Sequence, residues 1–289
     1  MASKLFVSGA SGQLGQRVMH HLLNTLKIEP SRIVAGTRNP VNVQQLTRKG
    51  VEVRAVDFNE PDDLENAFFD VDRLLIISTG DAGDRATGHI QAIKAAESAG
   101  VAHVVYTSIP NPVDTTLHIV RDHAATEKAL AESSLEGYTV LRNNWYFENL
   151  LFTVPDMLKT GAWYTASGEG GIAWISRDDL ALAAATALSN DNYDKLTLTL
   201  SGTKNYTAAQ LAELLQSCFN KPINIVNVAV DDVKDSMQKA GLPADVASLL
   251  SSADAHIAAG RLEGDATEFK NLTGKTPLDL TDWLKKQTF

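Results

Sequence analysis

Three glycines stand three residues apart in the stretch SGASGQLGQRV, at Gly9, Gly12 and Gly15. Their neighbours decide what chemistry that spacing serves. Leu5, Phe6 and Val7 form a short apolar run, and Leu14, Val18, Leu22 and Leu26 then recur every four residues, the spacing of one helix face. The glycines therefore belong to a strand-to-helix turn, where a residue without Cβ tolerates positive φ and lets backbone approach a ligand. The orphan N–H groups of the helix start, with the positive end of its dipole, attract phosphate. On this basis Gly9, Ala10, Ser11, Gly12, Gln13, Leu14 and Gly15 are read as the phosphate turn of a dinucleotide site. The pattern is G-x-x-G-x-x-G rather than the commoner G-x-G-x-x-G. A tight turn whose glycines serve packing alone looks the same locally, so the surrounding elements must decide.

The residue that reads the adenosine ribose belongs at the end of the second strand, roughly 20 residues past the glycines. An acidic side chain there would bind both ribose hydroxyls and repel a 2′-phosphate. The strand ends instead in AGTRNP, with Arg38 and no nearby carboxylate. A guanidinium pairs bidentately with phosphate, so the expected cofactor is NADP(H) rather than NAD(H). Asp57 and Phe58, at the end of the third strand, are expected to edge the adenine site.

These residues require particular elements to hold them. Apolar runs at 4–8, 32–37, 51–57, 73–78, 103–108 and 138–142 alternate with helical patterns near 13–27, 40–49, 61–69, 84–99 and 118–134. Such alternation predicts β-α-β crossovers and a doubly wound parallel sheet of the Rossmann type, an α/β fold, over residues 1 to about 155. A helix capped by Ser176 and Asp179 and the strand-like KLTLTLSG predict that residues 176–201 return to that sheet. The remainder of 156–289 predicts a smaller α/β substrate lobe, with a helix capped by Thr207 and Gln210 and ligand in the cleft between the two parts. Ligands in open α/β sheets lie beyond the carboxyl ends of the strands. Ser78, Thr79 and Gly80 after the fourth strand, and Thr107 and Ser108 after the fifth, are therefore candidate cofactor contacts, and Gly83 offers a further close backbone approach.

Composition narrows the function. A net charge of −9 opposes a phosphate-neutralising surface, so nucleic acid is not an expected partner. No apolar run is long enough to span a membrane, and no targeting segment is evident, which together predict a cytoplasmic protein. The single Cys218 excludes an internal disulfide and suits a reducing compartment. No His, Cys and carboxylate spacing suggests a metal, and no G-x-S-x-G elbow suggests a serine nucleophile.

The segments VSGASGQLGQRV, TRNP, VDFNEPDDLENAF, VVYTS, HAATEKAL, LRNNWYFENL and FKNLTGKTPLDLTDWL resemble atypical short-chain dehydrogenases of the NmrA-like group. The similarity runs over the whole chain and is nearest to the NADPH:quinone oxidoreductase branch, with triphenylmethane dye reductases as near relatives. It implies NADPH as hydride donor and a flat conjugated small-molecule acceptor, in a monomer or a homodimer. It also implies that Lys128 binds the nicotinamide ribose and adds charge near the hydride path, and that Arg177 touches the cofactor. The loop Asn143 to Asn149 matches the cofactor and acceptor loop, Glu148 included. Within it, Asn143 and Asn144 are expected to bond the nicotinamide amide. Trp145, Tyr146 and Phe147 form a stackable wall, one of them at least being ordinary core, and Tyr146 is a stand-in hydroxyl donor. His118 and His123 flank the expected acceptor loop and are read first as structural or surface histidines, with donation to an acceptor carbonyl as the alternative. One departure matters most. Ordinary members carry Y-x-x-x-K, but here Ala124 stands four residues before Lys128, and the usual serine place falls on Ile109. Two functions survive that loss: a reductase of acceptors that need little acid catalysis, or an NADP(H)-binding redox sensor that acts through a protein partner.

Overall fold

The computed structural model describes residues 3–79, 85–112, 118–192 and 194–289, with backbone alone for 118 and 119. Backbone packing divides the chain into two compact units. The first comprises Met1–Asn143 and Leu180–Leu198, the second Asn144–Asp179 and Thr199–Phe289.

The first unit alternates strand and helix: β1 (Leu5–Val7), α1 (Gln13–His20), β2 (Ile33–Thr37), α2 (Gln44–Thr47), β3 (Glu52–Ala55) and α3 (Leu64–Ala67). There follow β4 (Arg73–Ile76), α4 (Arg85–Ser98), β5 (His103–Ser108), α5 (His118–Glu132) and β6 (Gly137–Asn143). The sheet runs β3-β2-β1-β4-β5-β6, with β9 (Lys195–Leu200) added beyond β6. Strands β1 to β6 pair in parallel, and β1 lies between β2 and β4, with Val7 opposite both Ala35 and Leu75. The strand order reverses there, at the switch point where doubly wound sheets bind ligands. Side chains of β1, β2, β4 and β5 are almost all buried, as both faces of a parallel sheet require. One face packs Phe6, Val34, Leu74, Ile76 and Val104 against Leu64, Phe68, Ala92 and Ile93.

The helices expected near 40–49 and 61–69 are shorter than their patterns suggest. Each opens as a 3₁₀ turn led by proline, Pro40–Val43 and Pro61–Asp63, and keeps only four α-helical residues. Proline's fixed φ suits a first helical position, but four residues are too few for a helix to hold by itself.

Between β6 and β9 the chain forms α6 (Leu150–Thr160), β7 (Ala162–Thr165), β8 (Gly171–Ile172) and α7 (Arg177–Ser189). After β9 come β10 (Tyr206–Thr207), α8 (Ala208–Phe219), β11 (Asn224–Asn227), α9 (Val230–Lys239), α10 (Ala244–Ala258), α11 (Thr267–Thr273) and α12 (Leu280–Leu284). The second unit's two small sheets pair β8 with β10 and β7 with β11. Its core gathers Phe147, Leu150, Leu211, Leu215, Ile257 and Leu284. The capping box of Thr207 and Gln210 closes α8 at both donors. Ser176 caps Asp179 N–H, but the Asp179 carboxylate accepts from Ser176 Oγ and Leu278 N–H rather than closing a box. The boundary between the units falls after Asn143 rather than near residue 155. Asn144 N–H bonds Leu200 O at 3.0 Å, and its side chain bonds Ser201 and Leu262, which ties the loop to the second unit.

Candidate cofactor site

The glycine turn is built by hydrogen bonds to both neighbouring strands. Ser8 N–H donates to Leu75 O and Ala10 N–H to Gly36 O, each at 3.0 Å. Gly12 N–H closes the turn on Gly9 O at 2.9 Å, and Gly9 takes φ +61°, which favours glycine. Gly15 answers a different need. A Cβ there would lie 2.2 Å from Gly9 O and 2.8 Å from Ala10 Cα, so only hydrogen lets α1 pack against the turn. Gly12 caps α1 without a side chain, and no acidic residue stands in its first turn, so no capping side chain covers that helix start. Ala10, Leu14 and Gly15 are buried packing residues, while Gln13 is exposed.

A cavity of about 450 Å³ opens from this turn. Gly9, Ser11 and Gly12 line one end, Arg38, Asp57 and Phe58 a second part, and Ser78 and Thr79 the exit of β4. The first unit thus brings eight of the sequence-selected residues onto one wall. Thr37 Oγ1 links the parts, bonding Ser11 Oγ at 2.9 Å and accepting Asn39 N–H at 3.3 Å. Asn39 Oδ1 accepts Val41 N–H and so caps the 3₁₀ turn that carries Asn42 into the lining beside the exposed Arg38. Asp57 Oδ1 accepts Asn59 N–H at 3.0 Å, which shapes the turn under Phe58.

Sequence reasoning missed Asn42, Asn59 and Arg85. Asn42 and Asn59 each trail a selected residue within a short turn, a signal available in principle. Arg85 had none, since its place depends on α4. Gly80 and Gly83 lie outside the described residues.

Other selected residues serve the frame. Thr107 Oγ1 accepts Ser78 N–H at 2.9 Å, so it holds a lining residue without lining the cavity itself. Ser108 donates to Glu127 at 2.6 Å, and Arg142 grips the same carboxylate at 3.1 and 2.7 Å. Lys128 is not among the cavity-lining residues. It is exposed and lies 3.8 Å from Glu132, one turn along α5. Helical periodicity explains this: Thr126 and Leu130 take the buried positions, which turns 128 outward. His123 is structural, with Nδ1 2.7 Å from the Tyr106 hydroxyl and burial holding its pKa down to about 3. The side chain of His118 lies outside the described residues.

The loop Asn143 to Asn149 separates into distinct tasks. Asn143 is 5% exposed, and neither its Oδ1 nor its Nδ2 has a hydrogen-bond partner. Buried carboxamides rarely stay so, and this one offers a donor and an acceptor together. Asn144 is structural: Nδ2 donates to Ser201 Oγ and Leu262 O, and Oδ1 accepts Trp145 N–H at 2.7 Å. Phe147 is core, fully buried with its ring 5.6 Å from Trp283, which corrects its place in a ligand wall. Trp145 and Tyr146 remain half-buried. The Arg177 guanidinium lies 5.2 Å over the Tyr146 ring, and Glu148 accepts Arg177 N–H at 3.0 Å, a helix-start contact within the second unit.

The switch-point cavity, the glycine turn at an uncapped helix start and the cationic β2 exit define a dinucleotide-binding protein of the Rossmann class. Comparison with known proteins makes this specific. A profile of the NAD(P)H-binding family matches residues 9–191. Quinone oxidoreductase 2 of Escherichia coli is 35% identical over 276 residues, 96% of each chain. The crystal structure of the E. coli NADPH-dependent quinone oxidoreductase with NADPH superimposes with a TM-score of 0.90, covering 96% of this chain and 98% of that one. The Citrobacter sp. triphenylmethane reductase complexed with NADP(H) gives a TM-score of 0.88 at 30% identity, covering 98% and 99%. The chain belongs to the NAD(P)H-binding family and is an oxidoreductase similar to quinone oxidoreductase 2 over nearly its whole length.

Among the described residues, no group of three His, Cys, Asp or Glu is placed to hold a metal ion, and no helix is long and apolar enough to cross a membrane.

Proposed function

We propose that the protein is an NADPH-dependent reductase that passes hydride to a quinone or a similar flat conjugated acceptor. One observation carries the cofactor half of this reading: the cavity runs from an anion-binding helix start past Arg38 to the exit of β4. The uncapped α1 start holds the pyrophosphate, Arg38 and Asn42 take the 2′-phosphate, and Phe58 edges the adenine. The buried, unpartnered Asn143 carboxamide offers its donor and acceptor to the nicotinamide amide. NADPH, when bound, supplies the hydride.

The acceptor's chemistry suits what the chain lacks. With Ala124 in the tyrosine place and Lys128 exposed, no side chain of the usual dyad donates a proton. A quinone that takes up hydride becomes a phenolate with delocalised charge, and one proton from water completes the hydroquinone. A cationic triarylmethane dye is neutralised by hydride with no proton at all. The protein's contribution is then orientation and a preformed field. Similarity to the quinone and triphenylmethane reductases supports this choice of acceptors. Trp145 and Tyr146, half-buried and aromatic, are the proposed stacking surface, and Tyr146 the proposed hydroxyl donor.

A second reading draws on the same missing dyad: an NADP(H)-binding redox sensor acting on a protein partner. NADPH oxidation by purified protein, with a panel of small quinones and one triarylmethane dye, separates the two. Acceptor-dependent turnover above the uncatalysed rate establishes the reductase. Tight NADPH binding with every acceptor inert refutes it in favour of the sensor.

A further inference from the structure

Thr79 lines the cavity at the exit of β4, and both of its backbone groups are held by side chains. Its N–H donates to His89 Nε2 at 3.2 Å, and its carbonyl accepts Arg85 Nη1 at 2.8 Å. The two holds lead to a single residue of α5. His89 Nδ1 lies 3.2 Å from Thr126 Oγ1, which donates to the Asp122 carbonyl at 2.8 Å. Arg85 Nε donates to the Asp122 carboxylate at 3.1 Å.

This chain of bonds admits one tautomer of His89. The Thr126 hydroxyl has one proton and gives it to Asp122 O, so toward His89 it only accepts. Nδ1 must therefore carry the hydrogen, which leaves Nε2 bare to receive the Thr79 N–H. A protonated ring would present N–H to N–H and lose the contact. Full burial and the nearby Arg85 charge push the His89 pKa down to about 4, so the ring is neutral at pH 7. The ring also meets Phe58, another lining residue, edge-on with centroids 6.4 Å apart.

We propose that His89, as the neutral Nδ1–H tautomer, is a positioning residue of the cofactor cavity, which with Arg85 clamps Thr79 onto Asp122 and sets the β4 exit against the central part of the bound dinucleotide. This rests on the reading of the cavity as the NADPH site. Neither a surface histidine nor a general base is involved, since His89 is wholly buried and acts through the Thr79 peptide.

Two substitutions separate its nitrogens. His89→Gln places an amide oxygen near the Nε2 position, and His89→Asn keeps a donor near Nδ1 but leaves Thr79 N–H without its acceptor. Both remove the ring from Phe58 equally. NADPH affinity is expected within about threefold of wild type in H89Q and about tenfold weaker in H89N. Adenosine 2′,5′-bisphosphate, which ends before the nicotinamide half, is expected to bind both variants alike. Equal NADPH affinity in the two variants overturns the proposal, whereas failure of the wild type to bind NADPH overturns the reading of the cavity instead. Should H89N fail to fold, long-range ¹H–¹⁵N spectra of the wild type decide. A bare Nε2 whose shift moves on NADPH addition supports the clamp, and an Nε2–H tautomer refutes it.

Discussion

Gly15→Ala is the most exacting probe of the phosphate turn, because its effect follows from two distances. The new methyl would stand 2.2 Å from Gly9 O and 2.8 Å from Ala10 Cα, both backbone atoms that cannot rotate away. Carbon and oxygen in ordinary contact keep roughly 3.4 Å or more, so α1 must draw back from the turn by about 1 Å. Overpacking of this kind costs about 1–3 kcal/mol. Alanine in a helix and a stiffer unfolded chain return about 1 kcal/mol of that. The net loss of up to about 2 kcal/mol lowers Tm by up to about 4 °C for a chain of this size. The cofactor suffers more than the fold, since the N–H groups aimed at phosphate move with α1, and NADPH affinity is expected to drop at least tenfold. Gly12→Ala is the control: its methyl meets Gly9 O at 3.2 Å, a contact relieved by a shift of a few tenths of an ångström. Thermal melts and NADPH fluorescence titrations of both variants measure this. Wild-type affinity and Tm in Gly15→Ala would refute the argument that the turn is packed to its limit.

Arg38→Ala is expected to weaken NADPH about 5–30-fold while leaving NADH within twofold, because an exposed guanidinium–phosphate contact contributes about 1–2 kcal/mol. Titrations at low and high salt check it, with the gap narrowing as salt rises. Lys128→Ala is expected to change kcat/KM less than threefold, given its exposure and its partner Glu132; a hundredfold loss in steady-state NADPH oxidation would return Lys128 to the hydride path. Stability is expected to fall as pH is lowered from about 6.5 toward 4. Burial holds His89 at about 4 and His103 and His123 at about 3, so the unfolded chain binds protons that the folded one refuses. Tm measured across that window should decline steadily, and His89→Gln should flatten part of the slope.

What the sequence showed and what it hid divide along a physical line. The glycine turn, Arg38 and the Asp57–Phe58 edge were legible because each follows from local rules: backbone without Cβ, a cation at a strand end, a turn after a strand. The parallel sheet followed from alternation of apolar runs with helical patterns. Positions whose meaning depends on which way a side chain turns were not legible. Lys128 falls outward because Thr126 and Leu130 take the core, and Phe147 falls inward onto Trp283 while Tyr146 beside it stays half-exposed. Asn143 and Asn144 look identical in the sequence, yet one side chain is engaged by Ser201 and Leu262 and the other is buried without a hydrogen-bond partner. His89 gave no signal at all, since its role exists only where α4, α5 and the β4 exit converge.

Arg73 carries a consequence for how this protein is made. It is 1% exposed, sits on β4 and donates to Leu188 O at 2.9 Å, Asn192 O at 3.0 Å and Ala187 O at 3.3 Å. Those carbonyls arrive more than a hundred residues later in the chain, at the end of α7 and just after it, ahead of β9, which closes the sheet's outer edge beside β6. A ribosome that has just delivered Asn143 has therefore released every residue of the glycine turn and the Arg38 exit, but has left a buried guanidinium with none of these three acceptors. A fragment ending there lacks its seventh strand and the three carbonyls that hold the Arg73 guanidinium in the folded protein. The nucleotide-binding half cannot be excised by cutting the chain once, and its folding during synthesis must wait for about fifty further residues to emerge.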